Sequence, residues 1–194
     1  MATPHQTSRR SGRSSITLVR PPCRLSQSQP PFSDVNRAEI MNYDIWGSWS
    51  ASVGPNAPLD DSCAPSPQGS AKSAIKAWTT AGFPAHKIIL GVPAYGHSYR
   101  VSPSNAYDAS GKLKPYVPFN KSQQPAGDKW DSTAGGVDQC GNPNVVGGVF
   151  QFWGLIDGGF LTKNGNPAKG IDYTFDQCSQ TVSDQQGVQR SSNR

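Results

Sequence analysis

Apolar residues fall into three compact runs, separated by polar and turn-rich stretches. Residues 1–35 are dominated by Ser, Arg, Gln and Pro, and only Ile16-Thr17-Leu18-Val19 has the character of a short strand. Such a composition buries too little apolar surface to offset chain entropy, so disorder is expected there. The pattern changes abruptly around Ala38. Ala38 to Asp44 reads as a strand, and a loop with Gly54-Pro55-Asn56-Ala57-Pro58 and Asp60-Asp61 runs on to Ser66. Gln68 to Ala81 reads as a helix. Ser66 or Ser70 caps it, Ala71, Ala74, Ile75 and Trp78 form its apolar stripe, and Gly82 stops it. Pro84 to Val92 is a turn followed by a buried-type strand through Ile88-Ile89-Leu90. Strand, helix, strand is a βαβ unit, for which a right-handed crossover is expected.

Beyond residue 100 the periodicity breaks. Tyr107, Leu113, Tyr116, Val117 and Phe119 are scattered among polar and turn residues as far as residue 135. Val145 to Trp153 is a third apolar run and reads as a final strand. Residues 154–181 carry a weak helical signal and end at Phe175-Asp176-Gln177-Cys178, and the polar tail beyond Ser183 is expected to be disordered. No internal repeat emerges.

The 194 residues suffice for one domain with a fair core. A hydrophobic fraction of 35%, with 20 Gly and 17 Pro, marks a loop-rich chain. The net charge of +5 is local: residues 1–38 hold six Arg and one Asp, whereas residues 39–194 hold twelve Lys or Arg and twelve Asp or Glu. The body is therefore neutral. That suits an uncharged polymer better than a nucleic acid, whose readers carry basic charge on the folded part. No apolar run approaches the length of a membrane span, and the N-terminus lacks the apolar stretch of a signal peptide. Its Arg- and Ser-rich, acid-poor lead superficially resembles an organellar transit peptide, but without amphipathic periodicity. No metal site or cofactor is suggested.

The candidate chemistry lies at the ends of the three runs. Met41-Asn42-Tyr43-Asp44-Ile45-Trp46-Gly47-Ser48-Trp49 sets a phenol and a carboxylate beside two indoles. The flat apolar faces of pyranose rings stack on aromatic rings, while hydroxyl and amide groups need fixed polar partners. Gly91-Val92-Pro93-Ala94-Tyr95-Gly96-His97 and Gly147-Gly148-Val149-Phe150-Gln151-Phe152-Trp153 each end an apolar run on an aromatic residue.

These three segments, in this order, resemble the last three strands of family 18 glycoside hydrolases, the chitinases, in wording nearest to secreted fungal members. The resemblance covers roughly residues 39 to 181. It implies an α/β fold: part of a (β/α)8 barrel, comprising strands near 38–44, 86–92 and 145–153, with residues 100–135 as a reduced form of the family's small α+β insertion. Residues 1–37 would be an unrelated basic tail and residues 182–194 a disordered one. A whole barrel needs about 250 residues, more than this chain has. The family's catalytic motif, Asp-x-x-Asp-x-Asp-x-Glu, occurs nowhere in the sequence.

In the family, hydrolysis is substrate-assisted: a Glu protonates the glycosidic oxygen and the substrate's own N-acetyl oxygen attacks the anomeric carbon. The resemblance implies that Tyr43 hydrogen-bonds the N-acetyl group, Asp44 positions the sugar, Trp153 forms its floor, Tyr95 faces the cleft and Trp49 lines an outer subsite. Plainer roles stand beside these: a solvated strand-end tyrosine, a loop cap, a core indole, and, for Trp46 and Trp49, packing under a long loop. His97 stands where many members carry Arg and reads as a surface histidine, and Asp157 as a turn residue. Glu39, the sole glutamate, precedes the strand end and is too far from the reacting bond to replace the missing acid. Asp172 and Asp176 read as a loop pair.

Cys23, Cys63, Cys140 and Cys178 form no Cys-x-x-Cys pair. Secreted relatives use such residues in disulfides, and Cys140–Cys178, Cys63–Cys140 and Cys63–Cys178 all remain open. Two functional classes follow. One is the C-terminal portion of an extracellular chitinase, inactive by itself, as an incomplete gene model would leave it. The other is a non-catalytic protein that binds chitin or chitooligosaccharides. Neither involves nucleic acid or membrane.

Overall fold

The computed structural model describes residues 14–17, 35–131, 136–143 and 145–186. Its centre is a parallel three-stranded sheet in which Val35–Met41 (β2) lies between Ser14–Thr17 (β1) and Ile88–Gly91 (β3). The helix Ala71–Thr80 (α1) connects β2 to β3. Ser70 is its N-cap: the Ser70 hydroxyl accepts from the Ser73 N–H, and the Ser73 hydroxyl accepts in return from the Ser70 N–H. The helix thus begins at Ala71, the first residue of the apolar stripe and three residues after the expected start at Gln68, because the box at Ser70 satisfies its first free amides.

One face of the sheet is packed. Val35, Ala38 and Phe83 are buried together, with Trp78 of α1 and Ile88 against them. A register shift against β1 between Val35 and Arg37 lets Val35 join Ala38 in this core. Alternation about Ala38 sends Arg37, Glu39 and Met41 to the other face, where Arg37 and Glu39 are exposed. The buried strand expected through Ile88-Ile89-Leu90 is only half realised. Ile89 and Leu90 are 41% and 36% exposed, because among the described residues β3 has a strand on one side only and the helical layer covers one face.

Three further expectations are corrected. Ser14–Thr17 forms a strand inside the stretch expected to be disordered, paired parallel to β2, and β2 itself begins at Val35 rather than Ala38. The rest of residues 1–34 lies outside the described residues. The run Val145 to Trp153 contributes only Val149–Gln151 (β5), which pairs antiparallel with Tyr95–His97 (β4) instead of joining the parallel sheet. At Phe152 the chain turns into a short helix, Phe152–Asp157 (α3), after the Phe152 N–H donates to the Ala94 carbonyl at 2.8 Å. Finally, Ile171–Asp176 (β6) and Thr181–Gln186 (β7) form an antiparallel hairpin where helix and a disordered tail were expected. Period-two alternation of Ile171, Tyr173 and Phe175 with polar residues is its signal. Among the described residues the sheets do not close into a barrel.

The described residues between 98 and 148 carry one short helix, Pro103–Ala106 (α2), and otherwise turns and isolated bridges. A turn recurs that sequence inspection missed. In 107–113, 137–143 and 161–167, an Asp or Thr precedes a positive-φ glycine by three residues, and the flanks close as an isolated antiparallel bridge. Asp108, Asp138 and Thr162 each cap their own loop, receiving amides such as Lys112, Asn142 and Asn166 on the side chain.

The hairpin is fixed to the body by a Cys63–Cys178 disulfide, which settles the pairing among the three possibilities. The Leu59 N–H donates to the Ser179 carbonyl beside it, and the Tyr107 hydroxyl donates to Asp172 from the neighbouring turn.

Candidate functional site

Beyond Met41 the chain leaves β2 on the sheet's less covered face. The Tyr43 ring lies over Gly91 of β3, where a Cβ would stand 3.0 Å from Tyr43 Cε1 and 3.1 Å from the Ile40 carbonyl oxygen. A glycine there lets the phenol cross the neighbouring strand. Tyr43 then meets Tyr95 edge to face, with centroids 6.3 Å apart.

Asp44 adopts φ 55°, a left-handed conformation that Asp tolerates better than most residues. Asn56 holds it there. The Asp44 N–H donates to Asn56 Oδ1 at 2.8 Å, and the Ile45 N–H donates to the Asn56 carbonyl at 3.1 Å. Asn56 Nδ2 donates in turn to the Tyr95 carbonyl at 2.9 Å. The Tyr95 hydroxyl closes the circuit by donating to Asp44 Oδ1 at 2.7 Å. His97 Nε2 lies 2.9 Å from the same oxygen. Burial, then the hydrogen bond to Asp44, pushes the Tyr95 phenol above its ordinary range, so the hydroxyl remains a donor.

His97 is not the surface residue expected: its side chain is only 9% exposed. It packs edge-on against Trp49 and Tyr95, at 5.7 and 5.8 Å between centroids. The two early indoles divide their tasks. Trp46 is buried at 3% exposure against Tyr116, in a space that Gly54 leaves open. Trp49 is 56% exposed and faces a cavity of about 590 Å³. Asp44, Ser48, Tyr95, His97 and Gln151 line the same cavity. Among the described residues Asp44 is its sole acidic wall.

Of the residues singled out by sequence, Asp44, Trp49 and Tyr95 line this cavity together, and Tyr43 reaches it through Tyr95. Trp153 does not line it. The third apolar run ends as a strand at Gln151, which puts Trp153 in the first turn of α3. There its Nε1 donates to Gln151 Oε1 at 2.9 Å, linking it to the cavity through a wall residue. Asn56 and Gln151 are neighbours of this candidate site that sequence reading overlooked. Asn56 sits in a Gly-Pro-Asn-Ala-Pro run that signals only a turn, and Gln151 is the polar interruption of an apolar strand.

The arrangement offers what a sugar needs: an exposed indole, a carboxylate oxygen and a phenol at fixed distances, in a neutral body. The profile of glycosyl hydrolases family 18 matches residues 19–177. Two chitinase-like effectors, from Moniliophthora roreri and Moniliophthora perniciosa, are each 52% identical over 73% and 72% of this chain. The chain spans about a third of their length, 35% and 32% respectively. A solved chitinase from Rhizomucor miehei superposes with a TM-score of 0.60 at 32% identity, over 77% of this chain and 39% of that one. Human YKL-39, described as a pseudo-chitinase with retained chitooligosaccharide binding, shares the fold at 19% identity and a TM-score of 0.54, over 80% of this chain and 35% of that one. With a match running from residue 19 to residue 177, the chain belongs to glycosyl hydrolases family 18.

Proposed function

We propose that this chain binds chitooligosaccharides in the cleft around Asp44 and does not hydrolyse them by itself. The observation that carries the reading is the convergence of the Tyr95 hydroxyl and His97 Nε2 on one Asp44 oxygen, beside the open face of Trp49. Stacking on Trp49 supplies apolar contact, and Asp44 retains a second carboxylate oxygen for a sugar hydroxyl or amide. Tyr43 and Trp153 take their family roles, at the N-acetyl group and beneath the sugar. The parallel strands β1, β2 and β3 serve as an arc of the family's (β/α)8 barrel. The Cys63–Cys178 disulfide suits an extracellular setting.

Hydrolysis needs a proton donor within reach of the glycosidic oxygen, and removing such an acid costs about 10²–10⁴-fold. The single glutamate, Glu39, sits within β2, two residues before the strand's last residue, Met41, and is not among the cavity walls. Asp44, the acid that is, already accepts the Tyr95 hydroxyl.

Calorimetric titration with chitohexaose, beside a chitooligosaccharide turnover assay, tests both halves. Binding that weakens in Trp49→Ala, with no turnover, is the expected result. Turnover that falls in Tyr43→Phe shows catalysis by this chain and overturns the second half. Absence of any chitohexaose binding overturns the first.

A further inference from the structure

Asn120-Lys121-Ser122 is the one Asn-x-Ser/Thr triplet in the 194 residues, and its middle residue is not the proline that spoils such a triplet. It lies in a firmly held reverse turn. The Asn120 N–H donates to the Arg100 carbonyl at 2.8 Å, and the Gln123 N–H donates to the Asn120 carbonyl at 3.3 Å. Phe119, the residue before, packs edge-on against Tyr99 with centroids 4.9 Å apart. The Lys121 ammonium donates to the Trp49 carbonyl at 3.3 Å and stands 5.9 Å from the Phe119 centroid. Backbone and flanks are thus anchored, while Asn120, Lys121 and Ser122 are all exposed.

Within the triplet the two side chains already meet. Asn120 Oδ1 accepts the Ser122 N–H at 3.0 Å and the Ser122 hydroxyl at 2.7 Å. Both bonds use the amide oxygen, and Asn120 Nδ2 donates to no described residue. Other asparagines have that nitrogen committed: Nδ2 of Asn42 donates to the Pro58 carbonyl, that of Asn56 to the Tyr95 carbonyl and that of Asn142 to Asp138 Oδ2. Substituting one hydrogen on Asn120 Nδ2 therefore breaks no internal hydrogen bond. The substituted amide keeps its oxygen for Ser122, and a bulky solvated group at an exposed position displaces no packing.

We infer that Asn120 is the attachment site of an N-linked glycan, added in the oxidising secretory compartment that suits the Cys63–Cys178 disulfide. The donor is of the lipid-pyrophosphate-linked oligosaccharide class, acted on by a membrane-bound oligosaccharide transferase. Asn120 Nδ2 forms a bond to C1 of the donor's first amino sugar as the C1–O bond to pyrophosphate breaks. The lipid pyrophosphate leaves with the electron pair, and Nδ2 gives up one proton to the transferase, so nothing is oxidised or reduced. The site rests on the extracellular reading of the chain and not on sugar binding, since Asn120 is not among the walls of the Asp44 cavity.

The test expresses the full chain behind a secretory leader in a eukaryotic host and recovers it from medium and secretory membranes alike. Treatment with peptide-N-glycosidase in heavy-oxygen water turns a glycosylated Asn into labelled Asp, which peptide mapping locates. Labelled Asp at position 120 is expected in most of the parent chains. Asn120→Gln and Ser122→Ala should abolish the glycan, and Ser122→Thr should retain it. All three positions changed are exposed, so unchanged circular dichroism is expected in these variants. Disulfide-bonded parent in which residue 120 remains unlabelled Asn overturns the site while the extracellular reading stands. Chain recovered only with Cys63 and Cys178 as free thiols removes the extracellular reading, and the site falls with it.

Discussion

Asp44 is the residue on which the site turns, and its left-handed backbone persists only because neighbours over-determine it. Asn56 supplies an acceptor to the Asp44 amide and a donor to the Tyr95 carbonyl, so one side chain sets the spacing of two binding groups. Replacing it by Ala leaves two polar groups short of partners. We expect Asn56→Ala to cost about 1–3 kcal/mol in urea unfolding and to weaken chitohexaose binding, whereas Lys76→Ala, on the exposed face of α1, should do neither. A second expectation concerns pH. Burial raises the Tyr95 and Tyr99 phenols above their ordinary 10.0, with the negative charge of Asp44 adding to both. A folded pKa above the unfolded one gives stability that is fully present below pH 10 and lost as pH rises through the folded values. Absorbance at the tyrosinate band should therefore show these two phenols titrating late, together with alkaline unfolding rather than before it. Tyr43, Asp44, Trp49 and Tyr95 are legible in the sequence because aromatic and acidic residues are rare together at the ends of apolar runs. Asn56 is not, because its side chain acts across 39 residues of chain and its local context signals only a turn.

At the scale of elements, α1 is legible because its signals are local: a capping serine, a stripe and a stopping glycine. The segment Val145 to Trp153 misleads because strand ends are set by pairing partners, which the chain itself does not mark. Here β5 stops after three residues, when the Asp128 carboxylate takes the Gln151 amide and the chain turns into α3. The turn that carries Trp130 depends on the closeness of Gly127 to β5. Gly127→Ala must push against the Val149 backbone, and neither strand nor turn has a flexible end to give way. Overpacking of this kind costs about 1–3 kcal/mol. Gly159→Ala is a useful contrast: it meets no atom within 4 Å but sits at φ 76°, so its cost is backbone strain alone. Thermal unfolding should rank Gly127→Ala as destabilised. Near-ultraviolet dichroism should show a changed Trp130–Trp153 pair in that variant and an unchanged one in Gly159→Ala.

For the molecule as a whole, the family motifs locate β2, α1, β3 and the cleft. They say nothing about what holds together sheets that do not close. Ile89 and Leu90 remain partly exposed, and the packed core is small, centred on Val35, Ala38 and Phe83. Long-range staples therefore carry more of the stability than they would in a well-filled core. The Cys63–Cys178 disulfide spans 115 residues and joins the β6–β7 hairpin to the loop before α1, where the Leu59 amide meets the Ser179 carbonyl. Its main action is on the unfolded chain, whose freedom it restricts, so the benefit is set by the enclosed length more than by local contacts. Cys63→Ser should lower unfolding stability by about 2–4 kcal/mol, and Cys178→Ser by the same amount. Because both remove one bond, the double variant should be no worse than either single one, a non-additivity that independent packing defects would not show. Urea unfolding of the three variants decides it. Additive losses mean that each cysteine contributes by packing, and losses near zero mean that the hairpin is held by Ser179 and the Tyr107–Asp172 contact instead.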